Sequence, residues 1–188
     1  MMQKIIIQLA AAGLLCLMMA ACQGQAPQEN PAVGEPYPEL VEQETAAASR
    51  PPNSFVKGSG YEGVILTQER AAAVGENLFG GEIQGYWVPT QADIQSLEEK
   101  LLPFIRDNQA VFGGAAPGAD RLSRYKRQYV GIIQDGQRVI FVNLLCQAPS
   151  EDWQREFLLV MDGGACFFQV RYRLDTGSFF DLKVNGEA

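Results

Sequence analysis

The sequence predicts an α+β fold, with one main helix packed on a four- to five-stranded antiparallel meander. Two observations carry this. One segment, from Pro89 onward, has a clean helical apolar period, and the rest of the chain to its end reads as short alternating runs. Those runs are separated by Asp/Gly turn clusters at Asp135-Gly136, Asp162-Gly163-Gly164 and Asp175-Thr176-Gly177, the punctuation of hairpins. Separate helical and strand-rich regions imply packed layers rather than alternating βαβ units.

In chain order, Tyr61 to Leu66 reads as a short strand, and Thr67 as the cap of an Ala-rich helix through Val74. Gly75, Gly80, Gly81 and Gly85 then interrupt regular structure. Thr90 and Asp93 form a capping-box-like start. Ile94, Leu97, Leu101 and Phe104 or Ile105 follow as one apolar stripe, with Glu98 and Glu99 off it. Pro103 is expected to kink or break this helix, and Asn108 to Gly118 to form a loop. Tyr125–Gln134 and Arg138–Leu145 make the first hairpin, Glu156–Met161 a further strand, and Ala165–Arg173 with Ser178–Val184 the last hairpin. On the last pair, Phe168, Val170, Tyr172, Phe180, Leu182 and Val184 share alternate positions and are expected to cover the helix. Gln169, Arg171, Arg173, Asp181 and Lys183 take the other face.

Three segments are expected: residues 1–21 a signal peptide, 22–53 a tether, and 54–188 a single globular domain. Met1-Met2-Gln3-Lys4 is a short cationic start, and Ile5 to Ala21 is almost unbroken apolar or small. That pattern is a secretory signal, somewhat short for a membrane span of about 20 residues. Met19-Ala20-Ala21-Cys22 resembles the lipobox of bacterial lipoproteins, which implies cleavage before Cys22 and lipidation of that cysteine. Ordinary cleavage near Ala21 is the alternative. Each buried acyl CH2 contributes about 0.8 kcal/mol, so two or more chains, palmitate among them, hold firmly. Gln23 stands where an Asp favours inner-membrane retention in Gram-negative lipoproteins, so the resemblance implies a lipid-anchored envelope protein at the outer membrane, facing the periplasm. The tether carries Pro27, Pro31, Pro36, Pro38, Pro51 and Pro52 among Gln, Glu and Ala, too little apolar surface to offset its ordering entropy.

Loss of Lys4 with the signal leaves 14 basic against 22 acidic residues, net −8. This argues against nucleic acid as a partner and against electrostatic docking on anionic lipid. The chain has no histidine, which removes His-based triads, His metal ligands and the usual proton relay near neutral pH. No cofactor or metal is implied. Cys16 leaves with the signal and Cys22 carries lipid, so Cys146 and Cys166 remain as a pair. In an oxidising compartment they are expected to join, the alternative being two buried thiols.

Tyr129-Val130-Gly131, Asp162-Gly163-Gly164-Ala165-Cys166-Phe167-Phe168, Asp175-Thr176-Gly177 and Val184-Asn185-Gly186 are similar to uncharacterised small envelope lipoproteins of Gram-negative bacteria. The resemblance covers about half the chain and implies compartment and fold, not a reaction. The helix-then-meander order also resembles cystatin-like folds. Gln128-Tyr129-Val130-Gly131 is one residue short of the inhibitory hairpin motif, and Trp153 lacks the preceding proline, so the inhibitory loops are not implied.

Gly58-Ser59-Gly60-Tyr61-Glu62-Gly63 matches a dinucleotide fingerprint in letters only, because Gly63 leads into a strand rather than a helix. Asp162, Asp175 and Asp181, with Glu151, Asp152 and Glu156, are the available carboxylate chemistry, and Asp162 and Asp175 sit at turn positions. No catalytic residue is assigned. Arg121, Arg124, Lys126 and Arg127 form a basic run, and Arg127, Arg171 and Arg173 are the candidate partner-binding face, exposed on the uncovered side of the sheet. The expected function is therefore a non-enzymatic envelope lipoprotein, a protein-binding or accessory module with an anionic envelope partner. The alternatives are a small carboxylate-dependent hydrolase or glycan-binding domain, and an inhibitor or immunity protein for an envelope hydrolase.

Overall fold

The computed structural model describes residues 52–148 and 150–186. The signal, Cys22 and nearly all of the tether lie outside the described residues. Within them the chain is α+β, built on one mostly antiparallel open sheet of seven strands: β1 Ser54–Gly58, β2 Tyr61–Ile65, β3 Gly85–Trp87, β4 Lys126–Gln134, β5 Gln137–Leu145, β6 Phe167–Arg173 and β7 Ser178–Val184. The spatial order is β1-β2-β4-β5-β6-β7. β4 through β7 are the expected meander. The strand count is higher than expected because β2 pairs in parallel with the first half of β4, from Glu62 opposite Lys126 to Ile65 opposite Tyr129. β3 pairs antiparallel with its second half along the same edge. No local period announces such pairings, which join residues more than 40 positions apart.

The helices are α1 Gln68–Val74, α2 Glu76–Phe79, α3 Gln91–Asp107 and α4 Ala119–Leu122, with 3-10 turns at Gln109–Phe112, Glu151–Gln154 and Gly164–Cys166. Thr67 caps α1 and Thr90 caps α3, the latter in a full capping box with Asp93. The stripe on α3 is as expected: Ile94, Leu97, Leu101 and Ile105 are buried against the sheet. Pro103 does not end α3, which continues to Asp107. Pro103 is exposed, and having no N–H it removes only the bond that the Glu99 carbonyl would accept.

Both faces of the sheet are covered. Tyr125, Tyr129, Ile140, Val142, Phe168, Val170 and Tyr172 pack toward α3. Val130, Ile132, Val139, Phe141 and Phe167 pack on the other side with Ala71 of α1, Phe79 of α2 and Trp153. The expected strand at Glu156–Met161 is instead an extended strap across that second face, without a ladder partner. Its backbone is tied by buried amides: Gln128 Nε2 donates to Trp153 O and Glu156 O, both at 2.7 Å, and Gln128 Oε1 accepts from Leu158 N at 2.9 Å. Asn143 Nδ2 donates to Leu158 O at 2.8 Å and Asn185 Nδ2 to Val160 O at 2.5 Å. These bonds replace the sheet partners that a buried backbone needs.

The last hairpin departs from simple alternation. β7 carries a one-residue bulge against β6, with Asp181 at φ 51. Phe179 therefore joins the α3 side with Leu182 and Val184, and Phe180 turns to the opposite face. At the Asp135-Gly136 hairpin both residues have positive φ, 53 and 69, the geometry a two-residue turn requires.

Candidate functional site

The cysteine pair is bridged: Cys146 and Cys166 form a disulfide, with Cα atoms 4.9 Å apart. They stand opposite each other where the β5–β6 ladder ends at Leu145 and Phe167, and Cys146 N donates to Cys166 O at 2.8 Å. The bridge closes the base of the strap. Cys22 lies outside the described residues.

The three arginines expected to share an exposed face do not share one. Arg127 is 1% exposed and points to α3, while Arg171, 6% exposed, points to the opposite side of the sheet. Arg171 Nη2 meets Asp181 at 2.5 Å, and Arg173 lies over the Phe180 ring at 3.9 Å. The surface that would have gathered them is covered by the strap and the short helices. The remaining acidic candidates also separate. Asp175 faces Arg138 at 3.7 Å, Asp152 faces Arg155 at 3.9 Å, and Glu156 pairs with Arg70. Among the described residues no three of His, Cys, Asp and Glu are grouped to hold a metal.

What the fold does assemble is a cleft of about 650 Å3 between the β1–β2 hairpin and α3, closed at one end by α4. That volume lies in the range of small-ligand sites. The hairpin contributes Lys57 to Tyr61, so the glycine-rich letters at Gly58-Ser59-Gly60 form a tight turn on the cleft rim. From α3 come Gln91, Gln95, Glu98, Glu99, Leu102 and Arg106.

At its base is a buried ion pair. Arg127 Nε donates to Glu98 Oε1 at 3.1 Å, and the Glu98 side chain is 6% exposed. Arg127 is fully engaged: Nη1 donates to Tyr125 O at 2.6 Å and Nη2 to Gly60 O at 3.4 Å, with the guanidinium over the Tyr61 ring. Tyr129 OH also donates to Glu98 Oε1, at 2.8 Å. Burial holds the Glu98 carboxyl above its ordinary 4.5, and Arg127 and the Tyr129 hydroxyl only partly counter this. Burial, then the Glu98 charge, pushes the Tyr129 phenol well above 10. Tyr61 is raised by the same two causes in the same order.

Glu98 is the residue that sequence reasoning missed. It lies off the apolar stripe, where a charge reads as solvated. Its neighbour across the interface, Arg127, is a charge placed between Tyr125 and Tyr129 on one strand face, the only local hint that a buried cation needs a partner.

Comparison with protein-family models, with curated protein sequences and with solved structures finds no match. The chemistry of the site therefore rests on the geometry of this chain. Among the described residues no helix is long and apolar enough to cross a membrane.

Proposed function

We propose that this is an envelope lipoprotein, anchored through Cys22 at the outer membrane and facing the periplasm, whose domain acts as a binding or accessory module rather than as an enzyme. The observation that carries the binding reading is the cleft between the β1–β2 hairpin and α3, concave and lined by polar groups. It replaces the exposed arginine face as the contact site.

A photoreactive side chain at Gln95, exposed on the cleft wall, tests this reading in the cell envelope. Gln95→p-benzoylphenylalanine should give a discrete adduct on irradiation, and the same substitution at exposed Asp152, in the 3-10 turn before the strap, should not. Equal labelling from both positions, or none from Gln95, would refute it.

A second reading, a carboxylate-dependent hydrolase, is favoured by the elevated Glu98 carboxyl in a cleft. Against it, one Glu98 oxygen is already committed to both Arg127 and Tyr129. A hydrolytic activity that disappears in Glu98→Gln would establish it.

A further inference from the structure

Among the described residues, two acceptors on the cleft wall lack donors and two cations on its rim lack anions. Glu98 Oε1 accepts two bonds, but among the described residues no donor reaches Oε2. Nor is Oε2 among the fully enclosed unpaired atoms, which among the described residues are Arg70 Nε and Arg171 Nε. It therefore keeps access to the outside, and the space that Glu98 lines is the cleft. One residue on, the Glu99 carbonyl has lost its helical donor because the residue four positions later is Pro103. Among the described residues no side chain donates to it, and Glu99 and Pro103 both line the cleft. A nearly buried carboxylate oxygen and a freed carbonyl thus lie on adjacent residues of one wall.

The positive groups are elsewhere. Arg127 has each of its nitrogens engaged within the protein. Lys57, on the hairpin, and Arg106, in the last turn of α3, are exposed cleft residues whose side chains make no ion pair or hydrogen bond among the described residues. Two unpaired cations at the rim sit in a chain whose net charge is −7. Leu102, Pro103 and Leu122 supply apolar wall in the same cleft.

We propose that the cleft binds a short zwitterionic peptide, its terminal ammonium received by Glu98 Oε2 and the Glu99 carbonyl and its terminal carboxylate by Lys57 and Arg106. An ammonium carries three donors and no acceptor, matching the two acceptors at Glu98 and Glu99. A simple anion would satisfy the rim but leave that wall unpaired. A neutral saccharide would satisfy the wall but leave two cations unpaired. The volume suits a di- or tripeptide with small side chains.

This inference rests on the binding reading above, and the test separates the two. The probe is a pooled tripeptide library with free termini, offered to the full-length mature protein in detergent, beside the same pool N-acetylated, the same pool C-amidated and a pool of neutral disaccharides. Retention is read by mass spectrometry. The free pool should be retained. N-acetylation, and separately C-amidation, should each weaken retention by at least about tenfold, the loss expected for a charge-assisted hydrogen bond. Lys57→Ala and Arg106→Ala, at exposed positions whose loss leaves the fold unchanged, should weaken the free pool and not the amidated one. Glu98→Gln should lower retention of the free pool with retained circular dichroism.

Equal retention of acetylated and free peptides, or preference for disaccharides, would overturn the zwitterion while leaving a binding cleft. Retention of no pool would overturn the zwitterion alone, because Gln95 photocrosslinking decides independently whether the cleft is occupied in the envelope.

Discussion

The Glu98–Arg127 pair gives the sharpest test of the architecture, because its two halves should fail unequally. Glu98→Ala strands a guanidinium that is 1% exposed and cannot shed its proton. Arg127 would keep Tyr125 O and Gly60 O but lose the carboxylate, and Tyr129 OH would lose its acceptor. Breaking a buried pair from one side costs about 3–5 kcal/mol, a large share of the 5–15 kcal/mol that typically holds a domain. Arg127→Met strands Glu98 instead. That carboxyl is already held above 4.5 by burial and can take up a proton, so the cost should be smaller, about 1–3 kcal/mol near pH 5. The double variant Glu98→Ala/Arg127→Met leaves neither charge stranded and should cost less than the sum of the two single variants, a coupling of at least about 1 kcal/mol.

Urea unfolding followed by fluorescence of Trp87 and Trp153, at pH 5 and pH 8, measures all four corners. The sign of the pH effect is fixed by the direction of the shift. Folded Glu98 binds its proton more tightly than unfolded Glu98, so its contribution to stability is full below about 4.5 and is lost as pH rises through the elevated value. The Arg127→Met penalty should therefore grow from pH 5 to pH 8, and Glu98→Gln should remove that component of the decline. The reasoning fails if Glu98→Ala costs under about 1 kcal/mol, if Arg127→Met is the worse of the two, or if the double variant equals the sum.

Three further outcomes are expected. Cys22→Ser should release the protein from membranes or leave it unprocessed while the domain folds; fractionation and intact mass check this, and wild-type protein that is soluble and unacylated would contradict it. Reducing Cys146–Cys166, whose separation is 20 residues, should cost about 3 kcal/mol in the chain-entropy model and raise amide exchange in the strap at Leu158 before the β4–β5 hairpin; uniform exchange would refute the strap as a separate unit. Gly131→Ala should destabilise by more than about 1 kcal/mol in thermal or urea unfolding, because its Cβ would run into the Trp87 carbonyl and stand 2.9 Å from Pro89 Cδ, so an unchanged midpoint would refute β3 pairing there.

The sequence by itself determined what is local. The Thr90 cap and the Ile94, Leu97, Leu101, Ile105 stripe specify α3, because a cap and a 3.6-residue period need only neighbours along the chain. Asp135-Gly136 specifies the β4–β5 hairpin for the same reason, since φ above zero at both positions narrows the choice of residues. The cysteine pairing followed from counting. Tertiary structure decided the rest. Parallel pairing of β2 with β4 joins segments that no local period relates. Gln128 and Asn143 look like solvent-facing strand residues until a strap crosses them and uses their amides in place of a neighbouring strand. Arg127 and Arg171 both read as solvent-facing charges in the sequence, yet they lie on opposite faces of a sheet covered on both sides. Glu98, off the stripe of its helix, is buried where Arg127 and Tyr129 of β4 meet it at the base of the cleft. Whether a charge is solvated or enclosed depends on what the fold brings from elsewhere in the chain, and sequence spacing carries no record of that.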